Sequence, residues 1–120
     1  PPNSVVMILD AWAHITNDGG YHDTHVHPNC SWCGIYCIES GESSHKNKNG
    51  LNRFHSPLNS SMVDAGNYYL QAGAWDWEPM DGHLLVFPSY LMHSALPYNG
   101  DIDRIIISFN STTVEQQAVT

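Results

Sequence analysis

The sequence predicts an all-β fold, a sandwich or barrel of about eight short strands. Three observations carry that prediction. No apolar period of 3.6 residues extends over a useful length. Short runs rich in Val, Ile, Tyr, Phe and Trp are instead separated by Gly, Asn, Asp, Ser and Pro clusters. NDGG at 17–20, NKNG at 47–50, MDG at 80–82 and YNGD at 98–101 supply turn chemistry between the runs.

Taken in order, the expected strands are Val5–Ile15, Asp23–His27, Trp32–Glu39, Leu51–His55, Asn67–Ala72, His83–Phe87, His93–Leu96 and Arg104–Asn110. The polar segment 41–50 and the segment 56–66 read as loops, and either has the composition of a lid that closes over a bound molecule. Trp75 and Trp77 alternate with Asp76, as a half-buried strand or a pocket rim would. The 120 residues are enough for one domain spanning 1–120, with 1–4 and 112–120 expected to fray.

The net charge is −8 with histidines neutral, and only four residues are Lys or Arg. That balance argues against nucleic acid or an anionic membrane as a partner. No apolar run has the length of a membrane-spanning helix, and no signal-peptide pattern opens the chain. The three cysteines fall together at 30, 33 and 37, where a secreted disulfide framework would spread them in pairs, so a reducing cytoplasm is expected. Small β-sandwiches also pair through edge strands, and a homodimer is an expectation of that kind.

The stretch HDTHVHPNCSWCGIYC, 22–37, concentrates histidines and cysteines. On a strand, Asp23, His25 and His27 share one face and His22 takes the other. Two histidines at i and i+2 bring their imidazoles close enough to chelate one ion, with a third ligand from a distant strand. His93, in FPSYLMHSALP, is the best candidate for it. Asp23 is the alternative third ligand. His14, His22, His45, His55 and His83 read as ordinary surface or hydrogen-bonding histidines. The C-x2-C-x3-C pattern raises a rival zinc site. Against it, Cys33 and Cys37 fall within one expected strand as small apolar side chains, and no second C-x-x-C appears.

Arg104 heads the apolar strand of DIDRIIISFN. An Arg beside a core needs an anion. Asp101 or Asp103 could supply it, or a substrate carboxylate could, gripped through two parallel hydrogen bonds.

HVHPNCSWCGIYCIES and GHLLVFPSYLMHSALPYNGDIDRIIISFN together resemble the 2-oxoglutarate/Fe(II) oxygenases of the double-stranded β-helix, or cupin-like jelly-roll, class. The resemblance covers residues about 12–110 and is strongest in those two blocks. It implies that His25 opens and His93 closes an iron motif, with His27 where relatives usually carry Asp. It implies that Arg104 holds the distal carboxylate of 2-oxoglutarate, with Ser108 on the same strand face and Tyr36 as a further cofactor contact. Trp32 and Asn110 are softer candidates for the pocket wall. The implied cofactors are Fe(II) and 2-oxoglutarate, and the implied reaction is hydroxylase-type oxidation of an unknown small-molecule or side-chain substrate. Two rival functions remain at this point. One is a three-histidine cupin dioxygenase that needs no 2-oxoglutarate; the other is a non-catalytic jelly roll that only binds a metal or ligand.

Overall fold

The computed structural model describes residues 3–57 and 73–116. They form eight strands and no helix: β1 (Ser4–Thr16), β2 (Gly20–His25), β3 (Trp32–Glu39), β4 (Asn52–His55), β5 (Ala74–Trp77), β6 (Leu84–Pro88), β7 (His93–Tyr98) and β8 (Arg104–Glu115). One antiparallel sheet has the order β1-β8-β3-β6 and the other β2-β7-β4-β5. Strand 1 thus pairs with 8, 2 with 7, 3 with 6 and 4 with 5, which is jelly-roll connectivity. The described residues are a double-stranded β-helix.

Turn chemistry sets where strands end. Between β1 and β2, Asp18 (φ 54°) and Gly19 (φ 77°) both adopt left-handed backbone, and Gly20 N–H donates to the Asn17 carbonyl at 2.9 Å. Two consecutive positive φ values define the tight turn that Asp-Gly favours. The expected strand Asn67–Ala72 lies outside the described residues, as does most of the 56–66 loop. Between β4 and β6 the described strand is β5, which contains Trp75 and Trp77. Residues 112–115, expected to fray, continue β8.

The core lies between the sheets and is built from Cys33, Ile35, Phe54, Phe87 and Ile106. Phe54 meets Phe87 edge-on at a ring-centroid distance of 4.8 Å. Segment 41–50 is not a lid over this interior. Ser44 and Asn49 exchange backbone hydrogen bonds, and Asn49 Nδ2 donates to the Glu42 and Asn99 carbonyls. Those bonds tie the segment to the Tyr98 end of β7, one strand length away from His93.

On the outer face of the first sheet, Gly34 of β3 sits opposite Phe109 of β8, and a Cβ at 34 would lie 2.0 Å from the Phe109 ring. The ring occupies the space a side chain would need. Gly34→Leu is expected to lower stability by about 1–3 kcal/mol through overpacking, measured by denaturant unfolding; an unchanged midpoint would mean that Phe109 swings aside without cost.

Candidate metal centre and anion pocket

β2 and β7 pair so that His25 and His93 are opposite one another, with ring centroids 4.3 Å apart. His27 does not extend this strand, as its expected place on Asp23–His27 required. β2 ends at His25, and the chain turns through Pro28 and Asn29 (φ 58°). The turn is pinned to the end of β6: His27 N–H donates to the Ser89 carbonyl, and Ser89 Oγ–H donates to the Cys30 carbonyl. His27 is carried back over the site, where its Nε2 lies 3.2 Å from His93 Nε2. The ligand atoms of His25, His27 and His93 all fall within 4.8 Å of one another, and no other such cluster of His, Cys, Asp or Glu occurs among the described residues.

The ring orientations are set by backbone carbonyls. His93 Nδ1 lies 2.9 Å from the Leu91 carbonyl, and His25 Nδ1 lies 2.6 Å from the Asp23 carbonyl. A carbonyl can only accept, so each Nδ1 carries the proton and each Nε2 presents its lone pair to the cluster. Phe87 and Phe54 pack on the His93 ring, with centroids at 4.7 and 5.7 Å. Burial pushes His93 down to about 4. Burial also lowers His27, with a push from His25, and a hydrogen bond that the ring donates to the Asn110 side chain partly offsets this. Neutral imidazoles with convergent lone pairs are a donor set that suits iron, zinc, copper or nickel. A separation of 3.2 Å matches two nitrogens bound side by side at ordinary metal–nitrogen lengths.

Below the histidines lies a cavity of about 140 Å³ between the sheets. Arg104 heads β8 there and is 3% exposed. Its Nη2 donates to Asn52 Oδ1 across the sandwich, while its Nε is buried without a partner. Asp101 and Asp103 do not supply the expected anion. Asp103 accepts instead from Asn17 Nδ2, and the Asp101 amide is bonded to Glu42. Among the described residues no carboxylate forms a salt bridge with Arg104. Ser108, two positions further along the inner face of β8 from Ile106, also lines the cavity, and among the described residues no acidic side chain does.

A family model described as "Putative 2OG-Fe(II) oxygenase" matches residues 10–110. The chain belongs to this oxygenase family. No curated protein matches the sequence significantly. Among solved structures, the chain is similar to a prolyl-4-hydroxylase from Pseudomonas putida, with TM-score 0.60 and 16% identity over 89% of this chain and 51% of that one. It is also similar to a non-heme monooxygenase, ThoJ, solved as a nickel complex, with TM-score 0.60 and 12% identity over 93% of this chain and 47% of that one. The chain therefore spans about half the length of these two proteins, and the likeness shows their shared fold.

Against the oxygenase-family pattern, the structure brings His25, His27, His93, Arg104 and Ser108 to one cavity and leaves Asp23 and Tyr36 outside it. Asp23 is exposed and meets the His25 ring only through its backbone carbonyl. Tyr36 and Trp32 stand on the outer face of β3, 40% and 43% exposed, while Cys33, Ile35 and Cys37 point inward. Among the described residues no cysteine belongs to a cluster of three or more metal-ligating side chains. Burial pushes Cys33 up to about 12 and Cys37 to about 11, so both remain thiols.

Trp12, His14, His22 and Asn52 are among the wall residues that were not expected. The Trp12 ring stacks over His27, and its Nε1–H donates to His14 Nε2 at 2.5 Å. His14 meets His22 edge-on at 4.4 Å. Strand parity alone puts His22 and His25 on opposite faces; register irregularities on either side of His22 turn both inward. The alternation of Trp12 and His14 on β1 was the available signal.

The histidine shifts set a pH dependence. His93 takes up a proton near 6.5 in the unfolded chain but only near 4 in the fold. The unfolded state therefore binds more protons between those values, so this contribution to stability is complete above about 6.5 and is lost as pH falls toward 4. His14, His22 and His27, also lowered chiefly by burial, act in the same direction. The metal-free chain is expected to melt at a lower temperature at about pH 5 than at about pH 7. Equal melting temperatures would mean that the His93 ring is solvated.

Proposed function

We propose that this chain is an Fe(II)- and 2-oxoglutarate-dependent oxygenase of the hydroxylase type, with His25, His27 and His93 holding iron and Arg104 and Ser108 holding the distal carboxylate of 2-oxoglutarate. The observation that carries the proposal is a buried guanidinium with an unpartnered Nε in the same acid-free cavity as three convergent imidazoles. Bound there, the iron and 2-oxoglutarate supply oxidative decarboxylation to succinate coupled to oxidation of a substrate C–H bond.

The protein's part is positional. The Asp23 and Leu91 carbonyls hold His25 and His93 in the tautomer that leaves Nε2 free. Asn52 fixes the guanidinium plane through Nη2, which leaves the rest of the fork for an anion. Phe87, Ile35 and Ile106 exclude water from the space between metal and guanidinium. Three free thiols, two of them buried, suit a reducing compartment such as the cytoplasm. No helix of the described residues is long and apolar enough to cross a membrane.

Anaerobic titration with Fe(II) and then 2-oxoglutarate tests this reading through the weak visible charge-transfer band of a chelated keto acid. The band is expected only when both are present. His93→Ala and His27→Ala are expected to abolish iron binding, and Asp23→Asn to leave it unchanged. A loss in Asp23→Asn with retention in His27→Ala would reverse the ligand assignment.

Arg104→Met is expected to keep iron while weakening 2-oxoglutarate roughly tenfold or more, the cost of losing a charged hydrogen-bond donor. Unchanged affinity would reduce Arg104 to a structural role. The all-histidine triad also fits a second reading, a three-histidine dioxygenase that binds its substrate directly. In that case iron binds, no band forms, and oxygen is consumed without succinate. A protein that binds iron but consumes no oxygen would be a binding module.

A further inference from the structure

We infer that the chain forms a twofold-symmetric dimer by pairing the free edge of β1 with β1 of a second copy. Among the described residues β1 pairs only with β8, and it is the outermost strand of its sheet. The pairing of β3 with β8 ends at Trp32 opposite Ser111. Beyond that point β1 and β8 continue alone, from Ser4 opposite Glu115 to Met7 opposite Thr112. A two-stranded ribbon is marginally stable in water by itself, so this one calls for a third strand.

The composition of the ribbon says what kind of strand. Val5-Val6-Met7-Ile8-Leu9 is continuously apolar, and Val6 and Ile8 remain 64% and 63% exposed. Opposite partners across a ladder share a face, so Val6 and Ile8 lie with Thr113 and Ser111, and Val5 and Met7 lie with Val114 and Thr112 on the other face. Both faces of the ribbon therefore present apolar side chains. An edge of this sort normally carries Lys, Pro or an inward charge to block pairing. The other sheet edges have such features: β2 carries Asp23, β5 is four residues long with Asp76, and β6 ends on Pro88. In β1 no ionisable residue occurs before Asp10, and the one irregularity follows Ile8.

A second copy fits this edge by symmetry. A strand paired antiparallel with itself needs no second surface, and both backbone edges are satisfied at once. A twofold axis at Met7 sets Val6 opposite Ile8, Val5 opposite Leu9 and Ser4 opposite Asp10, so no like charges meet. Two chains of net charge −8 repel elsewhere, and the contact segment is the neutral one. The product is one continuous eight-stranded sheet, and Trp12 and His14, through which β1 lines the cavity, lie outside the paired segment 4–10.

Light scattering on size-exclusion fractions of the intact chain tests this. The expected mass is twice the 13.4 kDa of one chain. Val6→Lys and Ile8→Lys are each expected to halve it while leaving iron stoichiometry intact, because a lysine on an edge blocks pairing. A wild-type mass of 13.4 kDa, or a dimer that survives both substitutions, would overturn the inference. Should the lysine variants fail to fold, hydrogen exchange on the wild type decides: amides of 4–9 are expected to gain protection as concentration rises, and concentration-independent exchange overturns the pairing.

Discussion

A buried positive charge governs the interior of this protein. The Arg104 guanidinium sits between the two sheets, 3% exposed, and no acidic residue of the described chain is paired with it. Holding an unpaired charge there costs several kcal/mol, and burial accordingly pulls the Arg104 side chain below its usual pKa. Among the described residues no acidic side chain lines the cavity wall. Its polar lining is Asn52, Ser94, Ser108 and five histidines, set among apolar side chains such as Trp12, Ile35, Phe87 and Ile106. The unpartnered Arg104 Nε in this interior is the feature that supports the proposed anion site.

Much of this was readable in the sequence because the relevant constraint was local. H-x-H followed by a distant His, and an Arg at the head of an apolar strand, name the residues that the fold brings together. The bounds of β3 and the start of β7 and β8 follow from Gly, Pro and Asp punctuation, and they held. What could not be read was the phase of a strand whose faces are both apolar. In β3, Trp32, Tyr36 and Ile38 alternate with Cys33, Ile35 and Cys37, and hydrophobicity cannot choose between the two sets. The larger aromatics invite assignment to the pocket. The structure puts Cys33 and Ile35 there, packed with Phe54, Phe87 and Ile106 in the core.

The histidines show a second limit. Parity arguments assume an unbroken strand, and β2 is broken in register around His22 and finished by His25. His27 joins the three-histidine cluster through a loop pinned by Ser89 and not along a strand, a placement that parity does not report. His14 and His22 were missed because they meet across the gap between two sheet edges, β1 and β2. No periodicity along either strand reports that encounter.

The neutrality of the third histidine bears on what the cavity can hold. With a carboxylate at 27, a bound divalent metal and the Arg104 cation would together retain two positive charges; with His27 they retain three. Opposite charges about 4 Å apart at the protein's effective dielectric interact by about 4 kcal/mol. A dianion that spans from metal to guanidinium therefore lowers the energy of this site more than it would lower that of a carboxylate-bearing one. A neutral substrate bound at the metal would leave Arg104 Nε as it is now, buried and unpartnered. His27 in place of a carboxylate thus raises the positive charge that a dicarboxylate would offset, which supports the 2-oxoglutarate of the proposed function.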